Sequence, residues 1–124
     1  MRNVVFVAPF LMDATLRFVR AAARLPGVRL GLLTQEALER VPSQLRGEIA
    51  AHWQVKDALD PEQIVWGARG LEAQLGGLDR LIGTLEQLQV PLAKARERLG
   101  LPGLPVEAAE NFRDKARMKT VLRA

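Results

Sequence analysis

Short apolar runs alternate along the chain with longer stretches in which apolar residues recur every three or four positions, a pattern that predicts strands separated by helices. Asn3 to Ala8 (NVVFVA) is uniformly apolar and rich in β-branched residues, and Pro9 closes it, which predicts a strand buried on both faces near the centre of a sheet. Asp13 stands where a helix cap belongs. From there to about Leu25, Leu16, Val19 and Ala23 form one stripe while Arg17, Arg20 and Arg24 form another. Pro26-Gly27 ends this helix, and Val28 to Leu33 predicts a second strand. Thr34 is expected to open a helical stretch that breaks at Pro42 and resumes from about Ser43 to Ala51, with a short third strand over Trp53 to Val55.

Asp60-Pro61-Glu62-Gln63 is the clearest helix start: a capping residue, proline at the first helical position, and Gln three residues after the cap. Ile64, Ala68, Leu71 and Leu75 follow at helical spacing. Gly67 and Gly70 lie inside this helix, at a cost of about 1 kcal/mol each relative to Ala, so close packing against a sheet is the expected compensation. Gly76-Gly77 stops the helix, Leu78 to Ile82 predicts a fourth strand, and Val90 to Leu99 is helical up to Gly100. Strands separated by helices imply right-handed βαβ crossovers and a parallel sheet covered on both faces. Such a sheet binds ligands at the carboxyl ends of its strands, which here gathers Pro9 to Asp13, Thr34 to Glu36, Asp57 to Asp60 and Thr84 to Gln87.

Composition narrows the classes. A chain of 124 residues with 48% hydrophobic and 26% charged residues suits one folded domain and leaves no room for two full ones. Cysteine is absent, which removes disulfides, thiol catalysis and cysteine-ligated metal sites. The longest apolar run, Val4 to Met12, falls well short of the roughly 18 to 20 residues of a membrane span, and a secretory signal is not supported because Arg17, Arg20 and Arg24 follow without a cleavage site. A cytoplasmic protein with no membrane partner is expected. All of the net charge of +4 arises after residue 93, where eight basic residues face four acidic ones. That segment alternates its signs and has only Phe112 as an aromatic, which suits a local anion site and disfavours nucleic acid as a partner.

Standard nucleotide motifs fail. The loop Ala8-Pro9-Phe10-Leu11-Met12 contains no glycine, so a dinucleotide fingerprint is excluded, and no P-loop pattern occurs. His52, the single histidine, lacks partners at metal or triad spacing and is expected to pack structurally. Asp57 and Thr84 stand roughly where a phosphoacceptor receiver domain has its acid and its Thr, but such a domain also needs an acidic pair at the end of the first strand, and the nearest acid there is Asp13. Read from the residues alone, a receiver-like signalling domain and a non-catalytic Rossmann-like binding domain both stay open.

The last third of the chain adds a resemblance. Arg96-Glu97-Arg98-Leu99-Gly100-Leu101-Pro102-Gly103-Leu104-Pro105, with Asp114-Lys115 in the helical segment that follows, is similar to the junction between the N-terminal pre-ATP-grasp domain and the nucleotide-binding part of ATP-grasp enzymes of the biotin-carboxylase-like and carboxylate–amine ligase type. There a helix ends in Leu-Gly-[Ile/Leu]-Pro-Gly, and an Asp-Lys pair opens the next helix.

The resemblance implies a three-layer α/β/α, Rossmann-like pre-ATP-grasp domain over residues 1–104, with a mainly parallel sheet of about four strands in the order 3-2-1-4. Residues 105–124 would begin the nucleotide-binding region, truncated before its Gly-[Ile/Val]-Pro turn. It further implies ADP-forming ligation in a full-length enzyme that uses ATP and Mg²⁺: a small-molecule carboxylate becomes an acylphosphate, which an amine or similar nucleophile attacks. Lys115 matches the lysine that contacts nucleotide phosphates, Glu86 the acid that faces the substrate side after the fourth strand, and Asp13 lies in the substrate-binding loop after the first. This chain alone is expected neither to catalyse the reaction nor to bind ATP tightly. Its implied partners are a downstream ATP-grasp domain of the same protein and a second copy in a homodimer.

Overall fold

The computed structural model describes residues 1–103 of the chain. Four strands form one wholly parallel sheet: β1 (Arg2–Ala8), β2 (Val28–Thr34), β3 (Ala51–Gln54) and β4 (Arg80–Ile82), in the order β3-β2-β1-β4. The apolar run of β1 therefore lies inside the sheet, and Val5, Phe6, Val7 and Ala8 are buried. Helices α1 (Asp13–Ala23) and α2 (Ser43–Glu48) cover one face, where Val19 and Leu45 meet Val4, Phe6, Leu30 and Leu32. The other face carries α3 (Pro61–Leu75) and α4 (Gln89–Leu99), whose Ile64, Leu71, Leu92 and Ala95 pack on Val5, Val7, Leu33 and Leu81. The predicted three-layer α/β/α architecture and the strand order 3-2-1-4 are both present.

Local differences from expectation have simple causes. Thr34 ends β2 instead of opening a helix: it pairs with Ala8 and Gln54, and its hydroxyl donates to the Pro9 carbonyl at 3.4 Å and accepts from the Glu36 N–H at 3.3 Å. A hydroxyl that ties two adjacent strand ends is better satisfied than one capping a solvated helix. Only a 3₁₀ turn, Leu38–Arg40, precedes Pro42. Strand β3 begins two residues earlier than expected, because Gly31 to Thr34 of β2 pair with Ala51 to Gln54. Asp13 is the first residue of α1 and not its cap; Met12 takes the extended cap conformation without a side-chain bond, and the carboxylate instead sits favourably in the positive first turn.

The start of α3 follows its sequence signature in part. Asp60 Oδ1 accepts from the Glu62 N–H at 3.0 Å. Gln63 does not reach back to the Asp60 N–H as a capping box would; its Oε1 accepts from the Asp57 N–H at 2.7 Å, and its Nε2 donates to Asp60 Oδ2 at 3.3 Å. The two internal glycines of α3 pack as expected. A Cβ on Gly67 would lie 2.7 Å from Leu33 Cδ1, and one on Gly70 would enter the Trp53 ring, so both glycines let the helix lie against Trp53 and β2. The helix α4 ends at Gly100 in the left-handed conformation, where the Gly100 N–H bonds to Glu97 and the Leu101 N–H to Arg96.

Candidate functional site at the carboxyl edge of the sheet

Because every strand is parallel, all four carboxyl ends open on one edge. The chain leaves β1 toward α1 on one face and leaves β4 toward α4 on the other, and β1 and β4 are neighbours. Two adjacent strands whose continuations diverge leave a crevice between their loops, the place where open α/β sheets take ligands. Its walls are Pro9 to Asp13 on one side and Gly83 to Glu86 on the other.

Hydrogen bonds shape both walls. The Pro9 carbonyl accepts from the Gln35 N–H at 3.2 Å as well as from Thr34, which ties the β1 loop to the end of β2. Gln89 Nε2 donates to the carbonyls of Gly83 at 3.3 Å and Leu85 at 2.9 Å, which folds the β4 loop back over the start of α4. A Cβ on Gly83 would come within 3.0 Å of the Val7 carbonyl, so this loop runs close against β1. Phe10 and Met12 project from the first wall and are about half exposed, while Thr84 and Glu86 are exposed on the second. Asp13 and Glu86, the carboxylates of these two loops, are both exposed.

A second concavity lies farther along the same edge, beyond the ends of β2 and β3. It has a volume of about 550 Å³ and is lined by Gln35, Gln54, Val55, Lys56, Gln63 and Trp66. Sequence reading passed over it, because only the parallel register of β2 and β3 brings Gln35 beside Gln54. One signal was available: Trp66 is off the Ile64, Ala68, Leu71 and Leu75 stripe of its helix, an aromatic residue on a polar face.

The other candidates are placed as follows. Lys115 lies outside the described residues, as does the whole of 105–124. His52 Nε2 is 3.2 Å from the Glu36 carbonyl, a structural contact between a strand and the preceding turn. Asp57 Oδ1 accepts from the Leu59 N–H at 2.9 Å, so this carboxylate organises its own loop. Arg96, the first residue of the junction motif, bonds through Nε to the Leu81 carbonyl of β4 at 2.9 Å, and burial lowers its guanidinium pKa below the usual value. Among the described residues no group of three or more His, Cys, Asp or Glu side chains could hold a metal ion, so these residues do not fit a Mg²⁺ site. No described helix is long and apolar enough to cross a membrane.

Comparison with known proteins bears on the sequence and the fold. Alanine–anticapsin ligase of Bacillus subtilis (strain 168) is 41% identical over 68 residues, and that of Bacillus amyloliquefaciens is 38% identical over the same length; each match covers 55% of this chain and 14% of the ligase. The fold superposes on an L-amino acid ligase from Bacillus licheniformis with a TM-score of 0.65 at 20% identity, covering 90% of this chain and 26% of that one. A phosphoribosylglycinamide synthetase from Anaerococcus prevotii gives 0.60 at 19% identity, covering 98% and 28%. No protein-family model matches the chain. The chain is thus similar in sequence to alanine–anticapsin ligases over those 68 residues, and it shares its fold, with the parallel 3-2-1-4 sheet, with the L-amino acid ligase. It corresponds to a fraction of the length of every relative named.

Proposed function

We propose that this chain acts as the N-terminal domain of an ADP-forming, ATP-dependent ligase that activates a carboxylate as an acylphosphate for attack by an amine. The observation that carries the reading is the coincidence of two independent similarities: 38–41% identity to ligases that join alanine to anticapsin, and a parallel 3-2-1-4 sheet shared with an L-amino acid ligase. The first is a similarity of residues, the second of topology.

In this reading residues 1–104 are the pre-ATP-grasp domain and 105–124 begin the nucleotide-binding region. The β1/β4 crevice supplies the substrate-side wall, with Asp13 and Glu86 facing an amino or other cationic group and Phe10 and Met12 covering apolar substrate surface. A carboxylate is a poor electrophile, and phosphorylation gives it a good leaving group, so the phosphates of ATP need a cation close by. Lys115 is assigned that contact, and Mg²⁺ binding is assigned to the rest of the enzyme. The protein works in the cytoplasm, and the downstream ATP-grasp domain is its principal partner.

The test is ADP release by the native gene product, purified at its natural length, with amino acids offered singly and in pairs. ADP formation that depends on a pair of amino acids is the expected result. A product without nucleotide turnover for any carboxylate and amine pair would overturn the ligase reading in favour of a binding domain.

A further inference from the structure

The concavity beside Trp66 has an unusual balance of hydrogen-bonding groups. Each of its three amides is oriented by a partner of known polarity. Gln35 Oε1 accepts from the Ala58 N–H at 2.9 Å, Gln63 Oε1 accepts from the Asp57 N–H at 2.7 Å, and Gln54 Nε2 donates to the Gln35 carbonyl at 3.2 Å. The backbone N–H and carbonyl partners leave no freedom to exchange oxygen for nitrogen. Gln35 therefore has its oxygen engaged and its Nε2 donors without an acceptor among the described residues. Lys56 is exposed and has no ion-pair partner among the described residues. Trp66 adds an indole N–H, which can only donate. Free donors and a cation outnumber free acceptors. The nearby carboxylates do not line the space: Asp57 is engaged by Leu59, and Asp60 by Glu62 and Gln63.

The aromatic wall is held in place from beneath. Trp66 is 60% exposed, and its ring meets Trp53 edge to face, with centroids 5.2 Å apart and planes at 84°. Trp53 is itself seated against Gly67 and Gly70. An exposed tryptophan so braced offers a flat face at small further entropy cost, which suits stacking on a planar group.

We infer that this cleft is a binding site for a small planar anion, its ring stacked on Trp66 and its carboxylate or phosphate held by Lys56 and Gln35 Nε2. The site lies at the ends of β2 and β3, about two strand spacings, or roughly 10 Å, from the β1/β4 crevice. It rests on the lining residues alone and does not depend on the ligase reading.

The chain has two tryptophans and no tyrosine, so its intrinsic emission reports on Trp66 and the Trp53 beneath it. The experiment titrates the 124-residue chain with phenylacetate, phenyl phosphate and neutral phenylacetamide, following indole emission and confirming each Kd by calorimetry. At least one anion should bind saturably about tenfold or more tighter than phenylacetamide, the size expected of a charge-assisted hydrogen bond. Preference for phenyl phosphate identifies a phosphate-bearing ligand, and preference for phenylacetate a carboxylate. Lys56→Gln, an exposed change that leaves the core untouched, should erase the preference, while Trp66→Leu should weaken all three compounds together. Equal affinity for the neutral and anionic compounds, no saturable binding of any of them, or an unaltered preference in Lys56→Gln would each overturn the inference.

Discussion

The Trp53 ring occupies the space where a Cβ on Gly70 would stand. A methyl there would lie 2.7 Å from Cε3 and closer still to Cζ3 and Cη2, so the glycine is required by the tryptophan and not by the helix. Gly70→Ala sets a gain of about 1 kcal/mol in helix propensity against an overpacking cost of about 1–3 kcal/mol. The variant should be less stable in urea denaturation. In a Trp53→Leu background the clash disappears and the same substitution should become stabilising. A loss of equal size in both backgrounds would place the cost elsewhere.

Asp60 both caps α3 and receives Gln63, whose other end holds the loop at Asp57. Asp60→Ala should cost about 1 kcal/mol, the usual value of a lost N-cap. Asp60→Asn keeps an acceptor and should cost less. Chemical denaturation of the two variants side by side checks the order.

Arg96 joins the end of α4 to the edge strand β4 through the Leu81 carbonyl. Burial that lowers its pKa disfavours the charge, yet the hydrogen bond satisfies a backbone acceptor in the sheet. Arg96→Met keeps most of the apolar stem and removes the donor. The expected loss is about 1.5–3 kcal/mol, the range for bonds to charged groups. Amide exchange should rise first in residues 80–82, because an edge strand of three residues has little else to hold it. Uniform exchange throughout the sheet would show that Arg96 stabilises the domain as a whole.

How much of this was legible before the structure depends on whether the signal was local. The buried run of β1, the Asp60-Pro61 start of α3 and the Gly100 stop of α4 are each written in a few consecutive residues, and each is present. The strand order came from the junction motif, whose Leu99 to Gly103 is a helix stop followed by a turn. Thr34 misled because a hydroxyl that caps helices also serves a strand end when a neighbouring carbonyl, here Pro9, is within reach. Asp13 lay one residue inside the helix it was expected to cap. The cleft beside Trp66 was invisible because Gln35, Gln54 and Gln63 meet only through the register of β2 and β3 and the crossover to α3. Neither that register nor the depth of the seat beneath Trp53 is encoded in any one segment.

In the proposed full-length ligase, the three residues assigned to the reaction are expected to separate by which substrate they touch. Lys115→Ala removes a cation from the phosphates, and loss of a charge-assisted bond of about 1.5–3 kcal/mol should raise the KM for ATP by roughly 10- to 100-fold. Its effect on the KM for the amino acids should be small. Glu86→Gln and Asp13→Asn keep size and hydrogen bonding but remove charge from the two walls of the β1/β4 crevice, so they should raise the KM for the substrate that carries an amino group and leave that for ATP unchanged. Asp13→Asn also removes a favourable charge from the first turn of α1, worth about 0.3–1 kcal/mol, and thermal denaturation separates that loss from the kinetic effect. Steady-state kinetics with each substrate varied in turn makes the comparison. A rise in the ATP KM from Glu86→Gln, or none from Lys115→Ala, would mean that the nucleotide lies over the crevice itself and that the assignment of walls is reversed.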